Sequence, residues 1–411
     1  MVDSHSGPKR AVFVSTWLSY LDHRDTSLKR RLSLAENMLK SSSQPSSFFL
    51  LATLLLLALF SAGLFVNVAA SGSSMKVVKI INLGSPVLEG PQGIAYDRRN
   101  HKVFVVVDPS SCTSIGCTPP TNISVISSES NSVIATIHLH VGIIHTSIAY
   151  NSANGELYIA GTESLLPVPG VVFVVNATSD KTVRIVKVGL DPAGITVDPE
   201  TNKVFVSNEQ NGTVSVISGK TNTVIDTLRV TDNNGDYDDF LLGITFDPTN
   251  NQVYVSHSKD ISPASSGSIS VINAQNDKIV ANIQLPNFST PTNLIFDSTN
   301  RNLYVLAANP TPLVVVINGT SNKVLNAIGG FPDFQTLNSI AFDKENGNVY
   351  VAGSAGTAGI PNLYAISGIT NKIVGTVNFP DDQPFGMAWG SSSNLLYVAS
   401  NYNNRVFVVA P

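Results

Sequence analysis

Cysteine is almost missing from this 411-residue chain, and Cys112 and Cys117, its only two, have no further Cys and no His nearby. That excludes a four-ligand zinc site there. The pair does not spell Cys-x-x-Cys-His either, so covalent haem attachment is excluded as well. Charge is scarce: 13% of residues are Asp, Glu, Lys or Arg, and the net charge is -4. With no basic footprint, nucleic acid is not expected as a partner. Also absent are the Gly-x-Ser-x-Gly elbow of serine hydrolases and a glycine-rich phosphate loop that opens a helix. The sequence therefore offers no nucleophile signature and no nucleotide cradle.

What the chain does have, first, is one long uncharged run, Phe48 to Ala70, of sufficient length to cross a bilayer as a helix. Residues 1–47 carry seven basic against four acidic side chains, a net of +3, which leaves -7 for the remainder (-4 less +3). The positive-inside rule puts 1–47 in the cytoplasm, 48–70 in the membrane and 71–411 outside it. Val68 and Ala70 also resemble the small residues ahead of a signal cleavage site. An uncleaved anchor and a cleaved signal both remain open, and a start at Met38 would give a signal peptide of ordinary length. The stretch LKRRLSLAENMLK (28–40) gathers Leu28, Leu32, Ala35 and Leu39 on one helical face with a basic rim, which suits a helix lying on the inner leaflet. An exported Cys112–Cys117 pair is expected to oxidise to a disulfide. Sequons at Asn122, Asn176, Asn211, Asn287 and Asn318 fit the same compartment.

After residue 71 the chain repeats. An apolar residue and an aromatic one stand ten positions apart in seven successive units: Ile94/Phe104, Ile148/Tyr158, Ile195/Phe205, Ile244/Tyr254, Leu294/Tyr304, Ile340/Tyr350 and Met387/Tyr397. Each unit has four short apolar runs, which predicts a four-stranded antiparallel sheet. Between the markers lies a turn that opens with Asp97, Asn151, Asp198, Asp247, Asp297 or Asp343, for which turn chemistry is a complete explanation. The second and third runs are continuously apolar, so both sheet faces should be covered, as in blades stacked about an axis. The last unit lacks a fourth run, and residues 75–83 supply its pattern. The expected fold is an all-β, seven-bladed propeller, closed when residues 75–83 pair with 405–409.

The segments VFVSNEQNGTVSVISGKTNTVIDTL and VYVSHSKDISPASSGSISVINAQNDKIVANI resemble YVTN-type β-propeller repeats over about residues 75 to 411. The resemblance implies an exported or cell-surface propeller. It also brings in lactonase-like hydrolases, streptogramin lyase-like enzymes and haem-bearing propellers as proteins that share the fold, although a shared fold carries no function by itself.

Candidate sites are sought where copies depart from the repeat. Asp232, Asn234, Asp236 and Asp238 alternate along one loop, the spacing that wraps oxygen ligands around calcium, although Tyr237 stands where an EF-hand needs glycine. His138, His140 and His145 cluster; His138 and His140 share a strand face, where they suit a transition metal. His145 just precedes the innermost strand of the second unit, where four other copies have Pro91, Pro192, Pro291 and Pro384. The long loops 107–122, 161–170, 257–267 and 353–361 follow second strands and are expected to present a surface to a protein or glycan ligand. The leading expectation is a non-enzymatic binding module; the competing one is a metal-assisted hydrolase or lyase that uses the central channel.

Overall fold

The computed structural model describes residues 75–84, 90–108, 111–113, 116–118, 120–164, 168–230, 239–259, 267–285, 290–309, 311–331, 334–355, 363–379, 382–400 and 403–411. The N-terminal segment, the apolar run 48–70, the acidic loop 231–238 and Asn287 lie outside the described residues. Seven four-stranded antiparallel sheets follow one another. The first strand of each contacts the first strand of the next, and the seventh contacts the first. The chain is an all-β, seven-bladed propeller.

Blade two shows the pattern, running outward from the axis through Ile144–Asn151, Glu156–Thr162, Pro169–Asn176 and Lys181–Leu190. Its first strand thus begins at Ile144 and includes His145, slightly earlier than the spacing suggests. Because the strands form a simple meander, all first-to-second and third-to-outer turns lie at one end of the propeller, here the lower end. Second-to-third loops and the passages between blades lie at the upper end.

The turn residues behave as their chemistry demands. Asp97 Oδ1 accepts from the amide of Arg99 at 2.8 Å, and Asn151, Asp198, Asp247, Asp297 and Asp343 each accept from the amide two residues on at 2.7–2.9 Å. All six side chains are buried, so the amide bonds offset a desolvation cost that would otherwise oppose folding.

Continuous apolarity has the expected cause. Phe104 and Val106 face a core shared with the second blade, while Val103 and Val105 face one shared with the seventh. Seven such cores fill the seven junctions between blades. A fully buried Val or Ile side chain contributes about 1.5–3 kcal/mol. Near the axis, close approach requires glycine: a Cβ on Gly243 would lie 2.5 Å from the Thr292 carbonyl, which the Gly243 amide already bonds at 2.8 Å.

Closure is as the pattern implies. Lys76–Asn82 pairs antiparallel with Arg405–Ala410, with Val77 opposite Val409 and Ile81 opposite Val406. Outer strands leave Val133, Ile134, Ile185, Ile225, Val280 and Leu325 exposed. They also carry Lys76, Lys79, Lys181, Arg184, Lys278 and Lys323, and charged side chains on an edge discourage sheet-to-sheet aggregation.

Candidate functional site

The axis is narrowed by the repeat itself. Ile94, Ile148, Ile195, Ile244, Ile340 and Met387 line an upper cavity of about 390 Å³. Four of them, Ile94, Ile148, Ile340 and Met387, also line a lower cavity of about 430 Å³. Six of the seven apolar markers therefore form an aliphatic belt between two mouths. Above the belt the walls are polar and uncharged, with Gln92, Thr146, Ser147, Asn293, Asn338 and Ser339.

Beside this upper mouth, blade two departs from the repeat. His145 has φ +57° and Asp191, in the passage to blade three, has φ +50°. Left-handed backbone is uncommon for such residues, and holding it there requires compensating contacts. A hydrogen bond of 3.1 Å between His145 Nδ1 and Asp191 Oδ1 joins the two. Asp191 Oδ2 accepts from Gln210 Nε2 at 3.2 Å, and its carbonyl accepts from the Glu209 amide at 2.8 Å. On the other side, Thr146 donates to the buried Asp108 Oδ1 at 2.6 Å.

Electrostatics ties these groups into one unit. The hydrogen bond to Asp191 raises the His145 pKa above its ordinary value, with help from the charges of Asp191, Glu209 and Asp108, while burial opposes it. Burial, followed by repulsion from Asp191, pushes Glu209 up to about 7. Near neutral pH this corner holds exchangeable protons, as an acid–base or cation-sensing site would.

Of the three histidines, only His145 belongs to this unit. His138 ends the outer strand of blade one, where its Nδ1 meets Asn122 Oδ1 at 2.6 Å, and His140 lies exposed just beyond that strand. Among the described residues, no three His, Cys, Asp or Glu side chains group as metal ligands. Cys112 and Cys117 are directly opposite in a two-stranded hairpin, Ser111–Thr113 with Gly116–Thr118, in the upper loop of blade one. At Asn176 and Asn318 the sequon coincides with a turn: each Oδ1 accepts from the amides two and three residues on, at 2.8–3.1 Å. Asn211 instead accepts from Leu190 and Thr213, at 3.3 and 3.1 Å.

Asp108 and Glu209 escape a search for local motifs, yet the repeat alignment marks both. They stand four residues after Phe104 and Phe205, where the other copies have Thr162, Ser258, Ala308, Ser354 and Asn401. Carboxylates at this position thus occur only in the blades flanking His145. Asp191 lies in the most regular copy of the repeat, where a search for departures does not look.

No protein-family model matches the chain, and no curated protein sequence does. Among solved structures, it is similar to Kuenenia stuttgartiensis hydrazine synthase, with a TM-score of 0.62 over 80% of this chain and 97% of that one. Sequence identity is 14%, so the likeness is one of fold alone.

Proposed function

We propose that the chain is an extracytoplasmic propeller of the YVTN-repeat type, held at a membrane by residues 48–70 or released by cleavage near Ala70, that binds a protein or glycan through its upper end. The observation that carries this reading is the aliphatic belt: among the described residues that line the axial cavities, Lys344 alone is charged, and the rest are apolar or uncharged polar groups. The strands flanking the long loops, such as Lys102–Val107 and Asn122–Ser127 in blade one, bring those loops to the same end as His145 and Asp191. Rigid blades with variable loops at one end suit recognition. A Cys112–Cys117 disulfide, calcium held at Asp232, Asn234, Asp236 and Asp238, and N-glycans at the sequons belong to this reading as features of an exported protein.

A second reading, hydrolase or lyase, draws on Glu209 and His145, whose raised pKa values suit general acid–base work near pH 7. One experiment separates the two. The full chain is assayed on a glycan array and, in parallel, with a panel of lactone and ester substrates. Saturable binding that is lost when residues 109–120 are replaced by a Gly/Ser linker, without turnover, supports the binding module. Turnover that falls at least about a hundredfold in Glu209→Gln overturns it in favour of the enzyme.

A further inference from the structure

The lower mouth, at the opposite end from His145, has a chemistry of its own. Its cavity of about 430 Å³ is lined by Tyr96, Phe342 and Trp389 below the aliphatic belt, and by Ser298, Ser391 and Lys344 at the rim. The volume falls in the range of small-ligand sites, roughly 300–1,000 Å³. Tyr96 and Phe342 occupy the same place in their blades as Trp389, two residues after the marker, so the repeat itself delivers rings to this mouth.

Trp389 is the least ordinary of these. Its indole Nε1 donates to Glu345 Oε2 at 2.8 Å, and its ring stacks on the buried Tyr350, with centroids 6.1 Å apart and planes 15° apart. The indole is therefore fixed in orientation before any ligand arrives, and part of its surface lines the cavity. Ring closure explains why this junction differs. Four other marker tyrosines reach the third-to-outer turn of the next blade, but in blade seven the third and outer strands, Arg405–Ala410 and Lys76–Asn82, come from distant parts of the sequence and are not joined by such a turn. Tyr350 keeps the bond it accepts from Asn346 Nδ2, at 3.2 Å, the counterpart of Asn154 to Tyr158 and Asn300 to Tyr304.

We infer that the lower mouth binds an acidic pyranose, a sugar ring bearing a carboxylate, with its apolar face on Trp389 and its carboxylate toward Lys344. Aromatic faces carry partial negative charge and attract the polarised C–H groups of a sugar ring. Ser298 and Ser391 can exchange hydrogen bonds with ring hydroxyls. Among the described lining residues, Lys344 is the one that carries charge; it is about half exposed and makes only a loose ion pair, 3.9 Å, with Glu345, which does not line the cavity. A cation in the cavity would be repelled by that ammonium, and an anion attracted. This inference goes beyond the proposed upper-end binding and does not depend on it.

The test uses the full chain carrying Trp17→Phe, which leaves Trp389 as the only indole. Methyl β-glucuronide and methyl β-glucoside, which differ by carboxylate against hydroxymethyl, are titrated while the emission of Trp389 is followed. The expected result is saturable change with a dissociation constant on the order of 1 mM for the glucuronide, and binding about threefold weaker for the glucoside. In Lys344→Ala the two sugars should bind equally. Because an exposed lysine is being removed, the variant should melt at the wild-type temperature. No saturable change with either sugar overturns the site. Equal binding of both in the unaltered mouth, or a preference that survives Lys344→Ala, overturns the acidic specificity. Replacing the upper loop 109–120 leaves this mouth untouched, so failure here and failure of the upper-end reading are distinguishable.

Discussion

His145 and Asp191 are two of only four described non-glycine residues with left-handed backbone at the upper end, the others being Thr290 and Asn404. The remaining eleven all lie in lower-end turns. In those turns Asn, Asp or an equivalent simply completes a hairpin. His145 and Asp191 are hydrogen-bonded to each other and lie close to the carboxylates of Glu209 and Asp108. The sign of their pH response follows from the directions of the shifts. Glu209, raised to about 7 from 4.5, and His145, raised above 6.5, both hold protons more tightly folded than unfolded. Their contribution is complete below about pH 4.5 for Glu209, and below 6.5 for His145, and is lost as pH rises through the folded values. Wild type should therefore lose stability relative to Glu209→Gln between pH 5 and pH 8, by on the order of 1 kcal/mol after solvent screening is allowed for. Thermal melts of both proteins at the two pH values check this, and a constant difference between them would refute it. A second residue-scale expectation concerns the axis: Gly243→Ala should cost about 1–3 kcal/mol, because its Cβ meets the Thr292 carbonyl of blade five. Denaturant unfolding measures that loss.

At the scale of the element, six of the seven blade junctions are tied by one of two interlocks, and the choice is coordinated along the chain. Where the second strand carries tyrosine, its hydroxyl bonds the next blade's third-to-outer turn, except for Tyr350 of blade six. Tyr158 donates to Asn222, Tyr304 to Asn371 and Tyr397 to Asn131, each at 2.7 Å, and Tyr254 donates to the Gly319 carbonyl at 2.9 Å. Where that residue is Phe104 or Phe205, no hydroxyl exists. A lysine two residues earlier takes over: Lys102 pairs with Asp180 at 3.0 Å and Lys203 with Asp277 at 2.7 Å. The turn residue changes in step, from Asn to Asp. Both members of the Lys203–Asp277 pair are largely buried, at 14% and 13% side-chain exposure, so screening by water is weak. Removing one partner strands a charge. Lys203→Met should therefore destabilise by about 2–4 kcal/mol. The triple change Lys203→Gln, Phe205→Tyr, Asp277→Asn, which installs the other interlock, should recover most of that loss in chemical denaturation. Failure of the triple variant to outperform the single one would show that the interlocks are not interchangeable. All three residues are visible in the sequence, but their contact is not, because about seventy residues separate the lysine from its aspartate.

Across the whole molecule, the fold was readable because each blade repeats the same local instructions. The ten-residue spacing of markers set the hairpins, the Asp and Asn turns set the lower end, and continuous apolar runs announced cores on both faces. The site was only partly readable. His145 stood out as a break in the repeat, whereas Asp191 and Glu209 belong to its most regular copy and acquire their character only when blades two and three meet. Pairing across a junction is a property of closure, and closure depends on the segment furthest from its partner in sequence. Lys76–Asn82 completes the seventh blade and buries Ile81 in the core between blades seven and one. Without it, the third strand of that blade, Arg405–Ala410, becomes a bare edge, and Val406 and Val408 lose cover from one side of their core. A chain that begins at residue 85 should accordingly be insoluble or lack a cooperative unfolding transition, while a synthetic peptide of residues 75–84 added during refolding should restore both. A soluble truncated domain with an unchanged melting temperature would mean that the ring holds without its closing strand. The seven-junction account of stability would then fail at the blade whose strands come from the most distant parts of the sequence.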